Sequence, residues 1–364
     1  MKKERKLIFD KYFDIWKNNI RTLIDNHPMQ IISWEATRRC NLKCLHCGSP
    51  SENVNLSEEL KTHEVIEIFE RIARDFDMSK FRHINITGGE PFVRKDLITI
   101  LKEISKYSFY RNIDIQTNGI HIANNLDILD DLINFGVTGL GISIDCLESM
   151  HNSFRNIQGG FEKSVEAAKQ AVQKGLTVTV SVVVHAKNLH EIEGLYHYAK
   201  INIKPRVFRI MFIDPIGRTA IDSEYLLSKE QKLQVIDFLR EKYELDCDTY
   251  SDRSVMMVEL GCGGWFGKDL EGTFRPFIFH CIAGINNLGI LYDGKIASCS
   301  NISRDFIEGD ARVDNIKEIW DNGFARFRNR EWKRVGKCTD CKDWDFCHGG
   351  PMHLNNNNCI WGLA

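Results

Sequence analysis

No apolar run in the 364-residue chain approaches the length that spans a membrane. An export signal is also missing: in the N-terminal MKKERKLIFDKYFDIW, charges interrupt the apolar residues and no signal-peptide core forms. Net charge is nearly absent, with 48 Lys+Arg against 50 Asp+Glu for a formal -2, so composition gives no reason to expect nucleic acid as a partner. There is no internal repeat, and Asn355–Asn358 is the only low-complexity run, read as a loop. Apolar residues at 43% and charged residues at 27% exclude a disordered or collagenous chain and leave ample material for a core.

Cysteine is what the chain has in quantity. Of its twelve, three fall within eight residues (Cys40, Cys44, Cys47) and six within the last 84 (Cys281, Cys299, Cys338, Cys341, Cys347, Cys359). Cys146, Cys247 and Cys262 lie between them. Without an export signal the expected compartment is the cytoplasm, where thiols stay reduced and clustered cysteines read as metal ligands.

Residues 5–26 carry Phe9, Phe13, Trp16, Ile20 and Leu23 on one helical stripe. Such a stripe can lie on a membrane or grip a peptide, but docking on the main body is the favoured reading. From residue 31 to about 243, strand candidates (31–36, 82–87, 111–116, 139–144, 177–184, 206–213) alternate with helix candidates (57–76, 94–107, 124–135, 160–174, 188–199, 228–243). Alternation of this kind predicts an α/β fold with a parallel sheet, and six units predict an open, partial (β/α)6 barrel. Residues 244–364 are rich in Gly, Cys, Trp and Asn with little periodicity, as expected of a segment stapled by metal. The expected division is therefore 1–30, 31–243 and 244–364.

Polar, glycine-rich segments follow the strand candidates: Arg39-Cys40, Thr87–Pro91, Gln116–Gly119, Ser143–Asp145, His185 and Asp214-Pro215. In a parallel sheet these strand ends share one edge, which is where ligands bind. Cys40-x3-Cys44-x2-Cys47 supplies three thiolates on one short loop, enough for one face of a cubane cluster. Zinc with a distant fourth ligand is the other reading of that spacing.

With CNLKCLHC followed by Gly88-Gly89-Glu90, the sequence resembles the radical S-adenosylmethionine (SAM) superfamily over roughly residues 31–215. The resemblance implies that Cys40, Cys44 and Cys47 hold a [4Fe-4S] cluster whose open iron takes the amino and carboxylate groups of SAM. It implies that Gly88, Gly89 and Glu90 receive the SAM ammonium. Paired glycines let backbone approach a ligand closely, and a carboxylate suits an ammonium. Ser143 and Asp145 match polar positions that contact SAM, Gln116, Asn118 and Arg155 are further candidates, and His46 stands where an aromatic residue flanks the adenine. Asp145 could instead cap a helix, and for His151 and His185 a structural role is preferred.

Cys281-x12-Gly294-x4-Cys299, then Cys338-x2-Cys341-x5-Cys347 and Cys359, resembles the SPASM extension of that superfamily over about residues 262–362. The resemblance implies one or two auxiliary iron–sulfur clusters. Cys338, Cys341, Cys347 and Cys359 would ligate the second, and Cys281 and Cys299, with Cys262 as the best upstream match, the first. The first cluster's remaining ligand is expected at position 351, where Pro351 cannot ligate; His348, His353, an open iron, a smaller cluster or no cluster are the alternatives. On spacing alone, zinc remains open for Cys338–Cys359.

The family chemistry implied is reductive cleavage of SAM to a 5′-deoxyadenosyl radical and hydrogen abstraction from a substrate C–H bond, driven by a reducing partner such as flavodoxin or ferredoxin. Among SPASM enzymes, maturation of a ribosomally synthesised peptide (a crosslink, an oxidation or an epimerisation) is the leading expectation. With only 39 residues before Cys40, no dedicated leader-binding domain is evident, and a peptide would be recognised by a separate protein, by the N-terminal helix or by the cavity itself. The alternative is a small-molecule enzyme acting on a sugar, a tetrapyrrole or an amino acid derivative. Sulfatase maturation is disfavoured because Ser300, not Asp, follows Cys299. A non-catalytic iron–sulfur or zinc protein would have no need of Glu90. No nucleic acid and no membrane are expected as partners. Cys146, beside Asp145, is read as a buried structural cysteine before a hydrogen donor.

Overall fold

A computed structural model describes residues 2–49, 55–220, 223–246, 255–275 and 277–354. In chain order the elements are α1 (Lys2–Asn26), β1 (Ile31–Thr37), α2 (Thr62–Asp75), β2 (His83–Gly88), α3 (Leu97–Ile104), β3 (Ile113–Thr117), α4 (Ile120–Asn124), α5 (Ile128–Asn134), β4 (Val137–Ser143), α6 (Glu148–Phe154), α7 (Gly160–Gln173) and β5 (Thr177–Val184). They continue as α8 (Ile192–Tyr198), β6 (Val207–Phe212), α9 (Lys229–Asp246), β7 (Met257–Leu260), β8 (Asn287–Ile290), β9 (Lys295–Ala297), β10 (Gly309–Asp310), α10 (Ile316–Asn322), α11 (Ala325–Arg328) and α12 (Trp344–Cys347).

The six expected strands form, in sequential order and all parallel, the centre of one ten-stranded sheet. Period two divides their side chains. Ile32, Trp34 and Ala36 of β1, Ile84 and Ile86 of β2, and Val178, Val180, Val182 and Val184 of β5 join the main core. Against that face lie helices with apolar residues at helical spacing, such as Val65, Ile68, Phe69 and Ile72 of α2 and Leu97, Ile100, Leu101 and Ile104 of α3. The α2 start is a capping box, with Glu64 Oε2 accepting from Lys61 N at 2.7 Å. The opposite, inner face carries Asn85, Thr87, Asp114, Gln116, Ser143, Arg209, Met211, Met257 and Glu259, all half-buried.

The sheet continues past the expected boundary near residue 243. β7 pairs in parallel with β6 at one edge, and β8 pairs in parallel with β1 at the other, followed by antiparallel β9 and β10. An edge strand presents unpaired backbone donors and acceptors, and the cysteine-rich segment satisfies them on both sides. Short four-residue strands such as β7 and β8 are too brief to show a period, which is why the sequence pattern did not reveal them.

Helix α1 docks on the main body. Phe13 is 5% exposed and packs edge-on against Trp265 at 6.0 Å and Phe346 at 5.3 Å between ring centroids. Trp16 stacks on Phe346, and Lys17 pairs with Asp345. The stripe's side chains at Phe13 and Trp16 are thereby used within the chain. Among the described residues no helix is long and apolar enough to cross a membrane.

Candidate active site

The cysteine loop leaves β1 at the C-terminal edge and is tied to the segments that follow β2, β3 and β6. Gly89 N donates to Thr37 O and Glu90 N to Arg39 O, both at 2.8 Å. This approach requires glycine. Gly88 has φ +153°, and a Cβ there would stand 2.3 Å from Thr37 O; at Gly89 it would stand 2.2 Å from Arg39 O. Asn118 Nδ2 donates to Asn41 Oδ1 at 2.8 Å. Arg218, beyond β6, donates from its backbone to Cys47 O at 3.0 Å and from Nη1 to Cys44 O at 2.7 Å. Leu42, Cys44 and Ile120 pack with Cys40, Cys47 and Ile157 in a small apolar cluster, and Leu42 N donates to Cys40 Sγ at 3.4 Å. Burial pushes the Cys40 thiol up to about 11 and raises that of Cys44. A thiolate in that setting calls for cationic compensation, which iron provides.

Glu90 is 1% exposed. Its Oε1 accepts from Thr117 Oγ1 at 2.7 Å and Phe92 N at 3.3 Å, and its Oε2 from Asn118 N at 2.8 Å. Burial nonetheless pushes its carboxyl up to about 7. Thr117, missed in the sequence, is thus a carrier of Glu90; its only sequence signal was its place beside Asn118 at a strand end.

Asp145 is fully buried and committed to protein partners. Oδ2 accepts from Arg155 Nε at 2.7 Å and Oδ1 from Val183 N at 2.9 Å, while its backbone N donates to His151 Nδ1 at 3.2 Å. Burial alone would raise its pKa; Arg155, with His46 and His151, holds the carboxyl well below the usual range instead. Asn188 clamps the same turn, donating to Asp145 O at 3.0 Å, Val183 O at 2.9 Å and Cys146 Sγ at 3.5 Å. Cys146 is fully buried, in keeping with a structural role. His46 lies flat on Phe154, 4.5 Å between centroids, and His185 covers Phe154 at 4.1 Å. Burial lowers the His46 imidazole to about 4, so it is a neutral ring at pH 7. Gln116 Nε2 donates to Asn85 Oδ1 at 3.3 Å on the inner face, where Ser143 is half-buried.

In the C-terminal segment, the charges of Cys281, Cys299 and Asp214 all reach Cys262, as does that of Arg209 from β6. Ser300 donates its hydroxyl to Cys299. Pro351 is buried, and two residues on, His353 Nε2 lies 2.9 Å from Asp214 Oδ2. His348 adopts φ +45° and packs edge-on against Trp344 and His280. Cys338 and Cys341 share one turn, with Cys341 N donating to Cys338 O at 3.4 Å, and Cys347 ends α12. Cys359 lies outside the described residues. Among the described residues no three His, Cys, Asp or Glu side chains converge on one metal-ion position. A pocket of about 420 Å³ between α8 and α9 is lined by none of the expected site residues.

A model of the Radical SAM superfamily matches residues 34–199, and one of the SPASM iron–sulfur cluster-binding domain matches residues 281–342. The GTP 3′,8-cyclase of Thermodesulfovibrio yellowstonii is 30% identical over 86% of this chain and 91% of its own. The Fe-coproporphyrin III synthase of Methanosarcina barkeri is 24% identical over 88% of this chain and 82% of its own. The mycofactocin maturase MftC of Mycobacterium tuberculosis is 27% identical over 88% and 78% respectively. The fold matches that of Streptococcus suis SuiB bound to precursor peptide SuiA, with TM-score 0.65 and 16% identity over 92% of this chain and 76% of that one. The chain therefore belongs to the radical SAM superfamily, as an enzyme with a SPASM domain whose cofactors are [4Fe-4S] clusters and S-adenosylmethionine.

Proposed function

We propose that the enzyme matures a ribosomally synthesised peptide, using the partial barrel (31–243) for hydrogen abstraction and the C-terminal segment (244–364) for auxiliary clusters. When bound, the reduced cluster with SAM supplies a 5′-deoxyadenosyl radical that takes a hydrogen atom from a substrate C–H bond. Cys40, Cys44 and Cys47 hold that cluster. The Gly88-Gly89 backbone and the Glu90 carboxylate receive the SAM ammonium, with Thr117 and Asn118 N keeping the carboxylate in place. His46, held flat on Phe154, offers a neutral ring to the adenine. Gln116 and Ser143, on the inner face, are further contacts to SAM. Asp145, paired with Arg155 and accepting from Val183 N, fixes the end of β4 against β5 beside the SAM site. Cys262, Cys281 and Cys299 belong to the first auxiliary cluster, and Cys338, Cys341, Cys347 and Cys359 to the second. A flavodoxin or ferredoxin delivers the electron.

The observation that carries the substrate class is the inner face. From β2 to β7 it carries half-buried polar and flexible side chains, among them Asn85, Gln116, Ser143, Arg209 and Met257. A polar, flexible face of this kind suits an extended peptide backbone with its own hydrogen-bonding groups. Ser300 serves as a donor to Cys299 and offers no carboxylate base, which speaks against sulfatase maturation. A second reading, a small polar molecule, draws on the charges of Asp114, Arg209 and Glu259 on that face, where Arg209 pairs with Glu259.

The experiment is to give the reconstituted, reduced enzyme SAM together with each short peptide encoded beside its gene, and separately with GTP and coproporphyrins. Formation of 5′-deoxyadenosine with hydrogen loss from a peptide supports the leading reading. Turnover with GTP or a porphyrin alone overturns it.

A further inference from the structure

Directly after α11 the chain turns two cations inward. Arg330 is 4% exposed and Lys333 1%. Arg330 Nε donates to Phe327 O at 2.9 Å and Nη2 to Cys281 O at 2.6 Å, while Nη1 is buried with no partner. Lys333 Nζ has one backbone contact, Leu354 O at 3.5 Å, and stands 5.9 Å from the Trp332 ring. Its stem runs under Gly349, where a Cβ would come 3.0 Å from Lys333 Cε. Among the described residues neither cation has a carboxylate in ion-pair range. What they lie against is cysteine-bearing backbone: Arg330 contacts Cys281 O, and Lys333 runs under Gly349, two residues past Cys347.

Burying a cation without a counter-charge is strongly unfavourable, and such groups persist where something compensates them. Arg330 thus touches the first auxiliary half-site at Cys281, and Lys333 lies against the chain just past Cys347 of the second. A cluster held by thiolates is negatively charged, and its potential follows net charge, hydrogen bonding and exposure. We propose that Arg330 and Lys333 are positioning residues for the auxiliary clusters, a pair of buried counter-charges that raises their reduction potentials. Reduction adds negative charge, so a nearby buried cation stabilises the reduced form more than the oxidised one. Arg330 Nη1 is the donor left over for a cluster sulfur. This rests on the C-terminal cysteines being cluster ligands, which Cys338→Ala tests separately through loss of iron and sulfide.

The test uses the full-length, anaerobically reconstituted chain with Lys333→Met and Lys333→Arg. Iron and sulfide are counted, and the auxiliary clusters are titrated by EPR at fixed potentials. Lys333→Met is expected to lower the reduced-to-oxidised ratio of at least one auxiliary cluster about tenfold, which is about 59 mV for one electron. Lys333→Arg is expected to restore it. In the metal-free chain Lys333→Met is expected to raise Tm, because an uncompensated buried charge is removed; in the loaded chain it is expected to lower Tm. Full iron content with unchanged potentials overturns the proposal. So does a metal-free Lys333→Met chain that melts below its parent, since Lys333 would then serve packing alone.

Discussion

Asp145 and Arg155 form a buried ion pair, Oδ2 to Nε at 2.7 Å, with side chains 0% and 8% exposed. Both are expected SAM contacts from sequence, yet here each holds the other. Breaking a buried pair by removing one partner leaves an uncompensated charge and costs about 3–5 kcal/mol. Asp145→Asn is therefore expected to lower Tm in the metal-free chain as well as the loaded one, and Arg155→Ala likewise. A melting curve of the metal-free variants that overlays the parent would return Asp145 to a purely ligand-binding role.

The same pair gives a pH dependence. The Asp145 carboxyl is held below its unfolded value, which is about 3.9 for an aspartate. Its contribution is full above that pH and is lost as pH falls through the depressed folded value. Thermal melts of the metal-free parent between pH 6 and pH 2 are expected to fall more steeply than those of Asp145→Asn. Parallel curves would exclude Asp145 as a source of the acid sensitivity.

Glu90 titrates in the opposite sense, because burial raises its folded pKa to about 7. The stability it adds is present below the unfolded value of about 4.3 and is lost as pH rises through about 7. Glu90→Gln keeps the side chain's shape but turns an amide against Asn118 N, at about 1–3 kcal/mol for the unsatisfied group. The expected result is a metal-free chain whose Tm no longer falls between pH 5 and pH 8, and a loaded one with much weakened SAM binding. Unimpaired SAM binding by calorimetry would remove Glu90 from the ammonium site.

Gly89→Ala puts a methyl 2.2 Å from Arg39 O, so backbone has to move at the root of the cysteine loop. Overpacking of this kind costs about 1–3 kcal/mol. Iron retained at Cys40, Cys44 and Cys47 is expected to fall, with 5′-deoxyadenosine formation, while the auxiliary iron stays. Equal loss of all iron would point to general unfolding instead.

Phe13→Ala removes the aromatic ring that α1 packs edge-on against the stacked Trp265 and Phe346. Truncating a buried Phe costs about 3–5 kcal/mol. Limited proteolysis is expected to cut within α1 in the variant and spare it in the parent. Identical digestion patterns would mean that Phe13 does not anchor the helix.

The alternating strands and helices of 31–243 were legible because each carries its own short period, and the predicted strand bounds fall within about two residues of those seen. The cysteine loop and Gly88-Gly89-Glu90 were legible because the chemistry needs those residue types at fixed local spacing. Arg330 and Lys333 were not: in sequence they sit among other charged surface-like residues, and only packing takes them inside. The Asp214–His353 contact spans 139 residues, and no local pattern encodes a partner that far away.

What the residue order determined by itself is local: which runs become strands, where the thiols cluster, and that Pro351 offers no ligand. What the tertiary structure decided is long-range. It made Asp145 half of a buried ion pair, spread the C-terminal segment over both edges of the sheet, and took two cations inside beside the auxiliary cysteines. The physical reason is that a side chain's charge and hydrogen bonds are settled by whichever groups burial brings against it, and those groups come from any part of the chain.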